Sequence, residues 1–284
     1  PAFLFGMILV IASLGFKIAA VPFQFWAPDV YEGAPANVTS YMATALKAAV
    51  FAALVRVSVS FFGDQGVHLL GKLQSLAHGT LWWLALLTML IGNFVALMQT
   101  NLKRLMAYSA IAHTGYLLVG ILAGPAVGYS GIIFYLVAYM AMNIGAFILL
   151  GLFPGRDDEG LSVANLAGLG KRHPLAAAAL TVFLLSLGGF PPTAGFVGKY
   201  YLFSGALAAG ETALVLVAVL TSAVSVYYYL RLVVLMYMQD GAEHAPFRPS
   251  HFAYAAIVIC LILTVHYGIF PGTLLHAVKK AAVF

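Results

Sequence analysis

Three lysines interrupt stretches that otherwise have no room for charge. Lys17, Lys47 and Lys199 lie inside the apolar segments Phe3 to Phe25, Val38 to Phe62 and Pro174 to Ala208. A charged side chain at the centre of a bilayer costs about 3 kcal/mol on insertion scales. Three such groups in a chain otherwise stripped of charge point to proton or ion handling inside the membrane. Of its 284 residues, 63% are hydrophobic and 8% charged, whereas a soluble domain carries roughly 25% charged residues. The chain therefore reads as an all-α polytopic membrane protein in a lipid bilayer. The alternation needed for a membrane barrel is absent. The formal charge of +5 is scattered among apolar segments, so no nucleic-acid partner is expected. Cys260, the single cysteine, sits in an apolar run and is read as a packing residue. Pro1 to Leu4 carry no basic signal-peptide region and no initiator Met, which suggests further helices upstream.

A span needs about 20 apolar residues. About eight segments qualify: Phe3–Glu32, Ala36–Phe62, Thr80–Thr100, Leu102–Gly124, Gly128–Phe153, Pro174–Ala208, Thr212–Met238 and Phe252–Phe270. The first and sixth are too long for one span and contain breakers. Pro22 and Pro28 fall in the first, and Gly188-Gly189-Phe190-Pro191-Pro192 in the sixth. Proline removes a backbone donor and clashes with the preceding turn. Broken helices at corresponding places in two repeats point to a transport site. The breaks recur five spans apart, an odd offset, so the two repeats are expected to be inverted. Residues 1–284 then form one bundle. Residues 1–62 close the first repeat, 80–238 form the second with its broken helix at 174–208, and 251–284 hold a C-terminal helix. Proline kinks that serve only packing are the competing explanation.

Lys103, Arg104, Arg156, Lys171, Arg172 and Arg248 fall on one side of this arrangement, and Lys72, Lys279 and Lys280 on the other. The positive-inside rule places the first group in the cytoplasm and the C-terminus outside. Asp157, Asp158 and Glu159 in the loop Pro154–His173 weaken the asymmetry.

A lysine deprived of water is more easily neutralised, and a nearby carboxylate restores its charge. Lys47 has only apolar neighbours within a turn, and Lys17 and Lys199 lie near broken backbone where water could enter. A row of such groups suits a lateral proton relay. His113, mid-span in Leu102–Gly124, titrates near neutral pH and fits between the lysines. A core histidine satisfied by a carbonyl is the alternative. Snorkelling suits Arg56, Arg231, Lys103 and Arg104 near span ends, but Lys47 is about two turns from water. Asp29 and Glu32 are read as interfacial charges or a helix-end pairing site. Trp26, Trp82 and Trp83 fit an interfacial belt. The Tyr227-Tyr228-Tyr229 run is read as packing, with no cofactor implied. There is no phosphate loop, dinucleotide fingerprint, iron–sulfur cysteine cluster or trusted zinc or haem spacing. No catalytic, metal or cofactor-binding residue is assigned.

Three blocks carry a resemblance. Gly15-Phe16-Lys17-Ile18-Ala19-Ala20-Val21-Pro22-Phe23-Gln24-Phe25-Trp26-Ala27-Pro28-Asp29-Val30-Tyr31-Glu32-Gly33-Ala34-Pro35 is the first. Asn101-Leu102-Lys103-Arg104-Leu105-Met106-Ala107-Tyr108-Ser109 with His113 and Gly115-Tyr116 is the second. Gly189-Phe190-Pro191-Pro192-Thr193-Ala194-Gly195-Phe196-Val197-Gly198-Lys199 is the third. Together they resemble the antiporter-like subunits of respiratory complex I. The resemblance implies helices seven to fourteen of a fourteen-helix fold with two inverted repeats and two discontinuous helices. It implies a proton relay through Lys17, Lys47, His113 and Lys199, with breaks at Pro22, Gly188, Gly189, Pro191 and Pro192. The expected activity is that of a non-redox, proton-translocating subunit of an NADH–quinone oxidoreductase. NADH, FMN, iron–sulfur clusters and quinone would be held by membrane and peripheral partner subunits. The expected location is a bacterial inner membrane or an organellar energy-converting membrane. The Asp29-to-Pro35 wording, and lysine rather than glutamate at 199, favour the N-type branch over the M-type. The family's partner glutamate for Lys17 lies on a helix upstream of this stretch. Subunits of multi-subunit cation/proton antiporters and membrane-bound hydrogenases share the pattern and are the alternative.

Overall fold

The computed structural model describes residues 2–62, 71–153, 161–240, 247 and 250–281. Arg156, Asp157, Asp158, Glu159 and Arg248, which entered the charge balance, lie outside them. The described residues are helical, with one isolated bridge between Asn101 and Ser162 and no strand. The helices are α1 (Ala2–Lys17), α2 (Trp26–Gly33), α3 (Ala36–Tyr41), α4 (Lys47–Phe62), α5 (Gly71–Leu97), α6 (Leu102–Leu122) and α7 (Tyr129–Gly151). They continue with α8 (Leu169–Arg172), α9 (Pro174–Gly188), α10 (Ala194–Ala208), α11 (Thr212–Met238), α12 (His251–Ile269) and α13 (Gly272–Ala281).

Among the described residues, six helical stretches are long and apolar enough to cross a membrane, and Ile8–Lys17 and Pro174–Gly188 are shorter apolar helices. Together they make the chain an integral, multi-pass membrane protein. Two boundaries differ from the sequence reading. Helix α5 begins at Gly71, well before Thr80. The C-terminal region holds a second helix, α13, beyond Pro271. It lays Val278 against Phe134, Ala138 and Ala194 and leaves Lys279 and Lys280 exposed. A π turn over Met42–Leu46 joins α3 to α4 immediately before Lys47. Such wide turns shift the face that the following residues present.

Helices α1 and α9 stop in the same way. After α1, Ala20 N donates to Gly15 O (2.9 Å) and Ala19 N to Phe16 O (3.1 Å), with Ala19 at φ 54. After α9, Phe190 N donates to Leu185 O (2.9 Å) and Gly189 N to Ser186 O (3.0 Å), with Gly189 at φ 87. This six-to-one and five-to-two pairing is the Schellman end of a helix. Proline follows three residues later in each case, at Pro22 and Pro192. It bars the helix from resuming at once. Glycine takes the left-handed position at no steric cost, whereas Ala19 carries a methyl group into it.

Helix α6 is buried almost throughout, and it packs along α5 and against α10 and α2. Helices α11 and α12 expose more of their surface. Small residues set the α5–α6 approach. A Cβ on Gly92 would stand 2.6 Å from Ala112 N, and one on Gly115 would stand 2.8 Å from Met89 N. Close backbone approach of this kind holds helices together in lipid, where apolar side chains gain little from one another. The start of α6, residues 161–172 and the end of α11 share one end of the bundle. Leu102 N donates to Leu161 O (2.7 Å) and Val163 N to Thr100 O (2.8 Å). Lys171 Nζ reaches Asp240 Oδ1 (2.6 Å) and holds that exposed carboxyl below the usual carboxylate range. Lys103, Arg104, Lys171 and Arg172 therefore lie at one end.

Because backbone, not a movable side chain, opposes Gly92, Gly92→Val should cost about 1–3 kcal/mol. A lowered thermal midpoint in detergent checks this.

Candidate functional site

Lys47 and Lys199 are each 4% exposed and His113 is 1% exposed. Lys47 follows the π turn and sends its Nζ to Ala110 O on α6 (2.5 Å). Its ammonium also lies 5.1 Å from the centre of the Tyr139 ring. A π face attracts a cation by about 0.5–2 kcal/mol. Lys199 reaches back from α10 to the last turn of α9. Its Nζ donates to Leu187 O (2.9 Å), Gly188 O (3.0 Å) and Ser222 Oγ (2.8 Å). Those carbonyls are the orphans that every helix end leaves, and the negative end of the helix dipole favours a cation there. The Lys199 ammonium is 5.2 Å from the centre of the Tyr116 ring.

His113 stands between these two aromatic platforms. Its ring centre is 5.1 Å from that of Tyr139 and 5.6 Å from that of Tyr116. Nδ1 is hydrogen-bonded to the Tyr135 hydroxyl, and Nε2 is 3.4 Å from the Tyr229 hydroxyl. Tyr229 is hydrogen-bonded in turn to Ser109. The histidine is therefore partnered by side-chain hydroxyls rather than by a carbonyl.

Lys17 differs from the other two lysines. It is exposed, at the last residue of α1. Apolar surroundings in sequence do not distinguish a lipid-facing side from a protein-facing one, because both are apolar. Lys17 nonetheless shares with Lys47 the lining of a cavity of ≈10 Å³ that also touches Ala110. That volume is at the lower limit for a single water.

Side-chain hydroxyls satisfy backbone groups at both breaks. Thr114 Oγ1 donates to Ile18 O (3.0 Å) and Ala110 O (3.1 Å), and Val21 N donates to Thr88 Oγ1 (3.0 Å). In the second break, Gly195 N donates to Ser186 Oγ (3.1 Å). A Cβ on Gly195 would collide with the Ser186 backbone, so only glycine lets α10 start there. Gly188 is a lysine acceptor, Gly189 takes the left-handed turn, and Pro191 and Pro192 lie in the linker.

No carboxylate among the described residues is paired with Lys47 or Lys199. Asp29 and Glu32 each lie 2.7 Å from Arg104 Nη1, and Asn101 Nδ2 donates to Glu32 Oε1 (2.8 Å). They form the helix-end pairing site, clamping α2 to the start of α6. Glu211 pairs with His78 (2.7 Å) and Asp240 with Lys171. Arg56 and Arg231 are exposed, as snorkelling residues are. Cys260 is buried in the core.

A family model described as NADH:quinone oxidoreductase/Mrp antiporter, transmembrane, matches residues 1–225. The chain belongs to that family. Subunit N of NADH-quinone oxidoreductase from Trichlorobacter lovleyi is 47% identical over 279 residues, 98% of this chain and 56% of that protein. Its counterpart from Salinibacter ruber is 44% identical over 282 residues, 95% of this chain and 54% of that one. The chain thus spans about half the length of these family members. A chain of respiratory complex I from Thermus thermophilus superposes with a TM-score of 0.83 at 38% identity, over 98% of this chain and 60% of its own. A chain of the Mrp complex of Dietzia sp. gives the same TM-score at 24% identity, over 97% and 58%, and shares the fold.

In this family member, the sequence reading assigned no role at the site to Tyr116, Tyr135, Tyr139, Tyr229, Ser109, Thr114 and Ser222. Tyr229 packs in the core, and its hydroxyl also lies 3.4 Å from His113 Nε2. The available signal was spacing. Ser109 and His113, and Tyr135 and Tyr139, are four apart and share a helix face.

Thr114→Val keeps the shape and removes the hydroxyl held by the first break. It should cost about 1 kcal/mol and speed hydrogen exchange of the amides at 18–21, measured by mass spectrometry.

Proposed function

We propose that this chain is part of a proton-translocating membrane subunit of an NADH–quinone oxidoreductase. One observation carries the proposal: two lysines are enclosed at membrane depth with no counter-ion among the described residues, and His113 stands between their aromatic platforms. Subunit N relatives and the complex I match support the assignment. Without a fixed carboxylate, the charge of each lysine is sensitive to any water or carboxylate brought near it. Redox chemistry in partner subunits would change that surrounding. Lys17 would change its charge state first, Lys47 and His113 would pass the proton laterally, and Lys199 would deliver it toward the exit.

The same reading has eight crossings, with α1–α2 and α9–α10 as two discontinuous spans. The matching Schellman ends support an assignment of 1–62 and 80–238 to inverted repeats, with α12 and α13 appended. The end that holds Lys103, Arg104, Lys171 and Arg172 would face the cytoplasm and the C-terminus the outside. The membrane would be a bacterial cell membrane or an organellar energy-converting one. Membrane and peripheral partner subunits would hold NADH, FMN, iron–sulfur clusters and quinone, while this chain conducts protons without a cofactor. The Mrp part of the family description supports a second reading, a subunit of a cation/proton antiporter. Sodium-dependent proton exchange without NADH would select it.

In the assembled complex, Lys47→Ala should lower protons moved per electron severalfold while the redox subunits still turn over. Intact pumping in that variant would overturn the relay. Lys199→Glu keeps a titratable group, and should retain more pumping than Lys199→Ala in the same proteoliposome assay.

A further inference from the structure

Tyr139 is 0% exposed on α7, and its hydroxyl has no hydrogen-bond partner among the described residues. Its neighbour Asn143, one turn on, gives its amide to the Tyr139 carbonyl (3.3 Å). A buried hydroxyl without a partner is destabilising, and phenylalanine at the same place would avoid that cost. The oxygen therefore calls for a use or a bound water.

Its position supplies one. The Tyr139 ring is in contact with both Lys47 Nζ and the His113 ring, each at 5.1 Å. Tyr135 is stacked beside it with centres 6.2 Å apart, and the Tyr135 hydroxyl is hydrogen-bonded to His113 Nδ1. Lys47 is hydrogen-bonded to Ala110 O, and His113 to Tyr135 and Tyr229. No hydrogen bond joins the lysine to the histidine directly. The Tyr139 side chain touches both.

We propose that the Tyr139 hydroxyl, with one water bound on its Lys47 side and one on its Tyr135 side, is the proton carrier between Lys47 and the Tyr135–His113 pair. This rests on the relay described above. The Lys47 ammonium gives a proton to the first water and becomes a neutral amine. That water passes one proton to the Tyr139 oxygen as the phenol's own proton moves to the second water. The second water passes a proton to the Tyr135 hydroxyl, which gives its own to His113 Nδ1. Both waters and both phenols end with the protons they began with, and one positive charge has moved from Lys47 to His113. No electron moves. The starting tautomer of His113 carries its proton on Nε2, facing Tyr229.

Tyr139→Phe in the assembled complex tests this, because it removes one oxygen and keeps the ring beneath Lys47. Proton translocation should fall roughly tenfold or more, while the complex still assembles, because the ring and its packing are kept. Unchanged translocation in Tyr139→Phe, with Lys47→Ala inactive, would remove Tyr139 from the path and leave the relay standing. Unchanged translocation in both would remove the relay and this carrier together.

Discussion

The ammonium of Lys199 and the open end of α9 satisfy each other. A helix that stops within a bilayer leaves carbonyls that no water can solvate. A lysine at the same depth has a charge with no solvent. Each is costly alone. Joined through Leu187 O and Gly188 O, with Ser222 completing the shell, they let α9 end at Gly188 and α10 begin at Ala194. The chemistry of the site and the permission for the fold to break are thus the same contact. A second break is closed differently. There the Thr114 hydroxyl takes up Ile18 O, and Lys47 bonds Ala110 O on the same helix.

Helix α6 makes both arrangements possible at once. Ala110, His113, Thr114 and Tyr116 lie within two turns, and they serve Lys47, the Tyr135–Tyr229 pair, the first break and Lys199. A helix touched on every side must approach its neighbours closely, which Gly92 and Gly115 allow along α5. Asn101 caps it by accepting from Lys103 N and Arg104 N. The Arg104 clamp on Asp29 and Glu32 fixes α2 to the same end. Those charges are partly exposed, so their value is one of register more than stability.

Much of this was legible in the chain. Helical stretches long and apolar enough to cross a membrane overlap six of the expected segments, because backbone groups in lipid can pair only within a helix or a closed barrel. The interruptions at Pro22 and at Gly188 to Pro192 coincide with the ends of α1 and α9. The burial of Lys47, His113 and Lys199 followed from their depth in apolar sequence. The exposure of Lys17 did not, since nothing in an apolar helix marks which side meets lipid. The amphipathic α13 and the π turn before Lys47 were also hidden, since neither has a strong local signal.

By itself, the sequence determined the solvent, the helical class, the places where helices must break and the titratable groups that would have to be held at depth. Those follow from local chemistry: apolar length, proline geometry and the cost of charge. Only the tertiary structure decided which tyrosines stand under which lysine, that His113 is held by two hydroxyls, and that Tyr139 keeps a buried oxygen without a partner. Such pairings join residues tens of positions apart. They depend on how closely helices approach and how they are rotated, which local pattern does not specify.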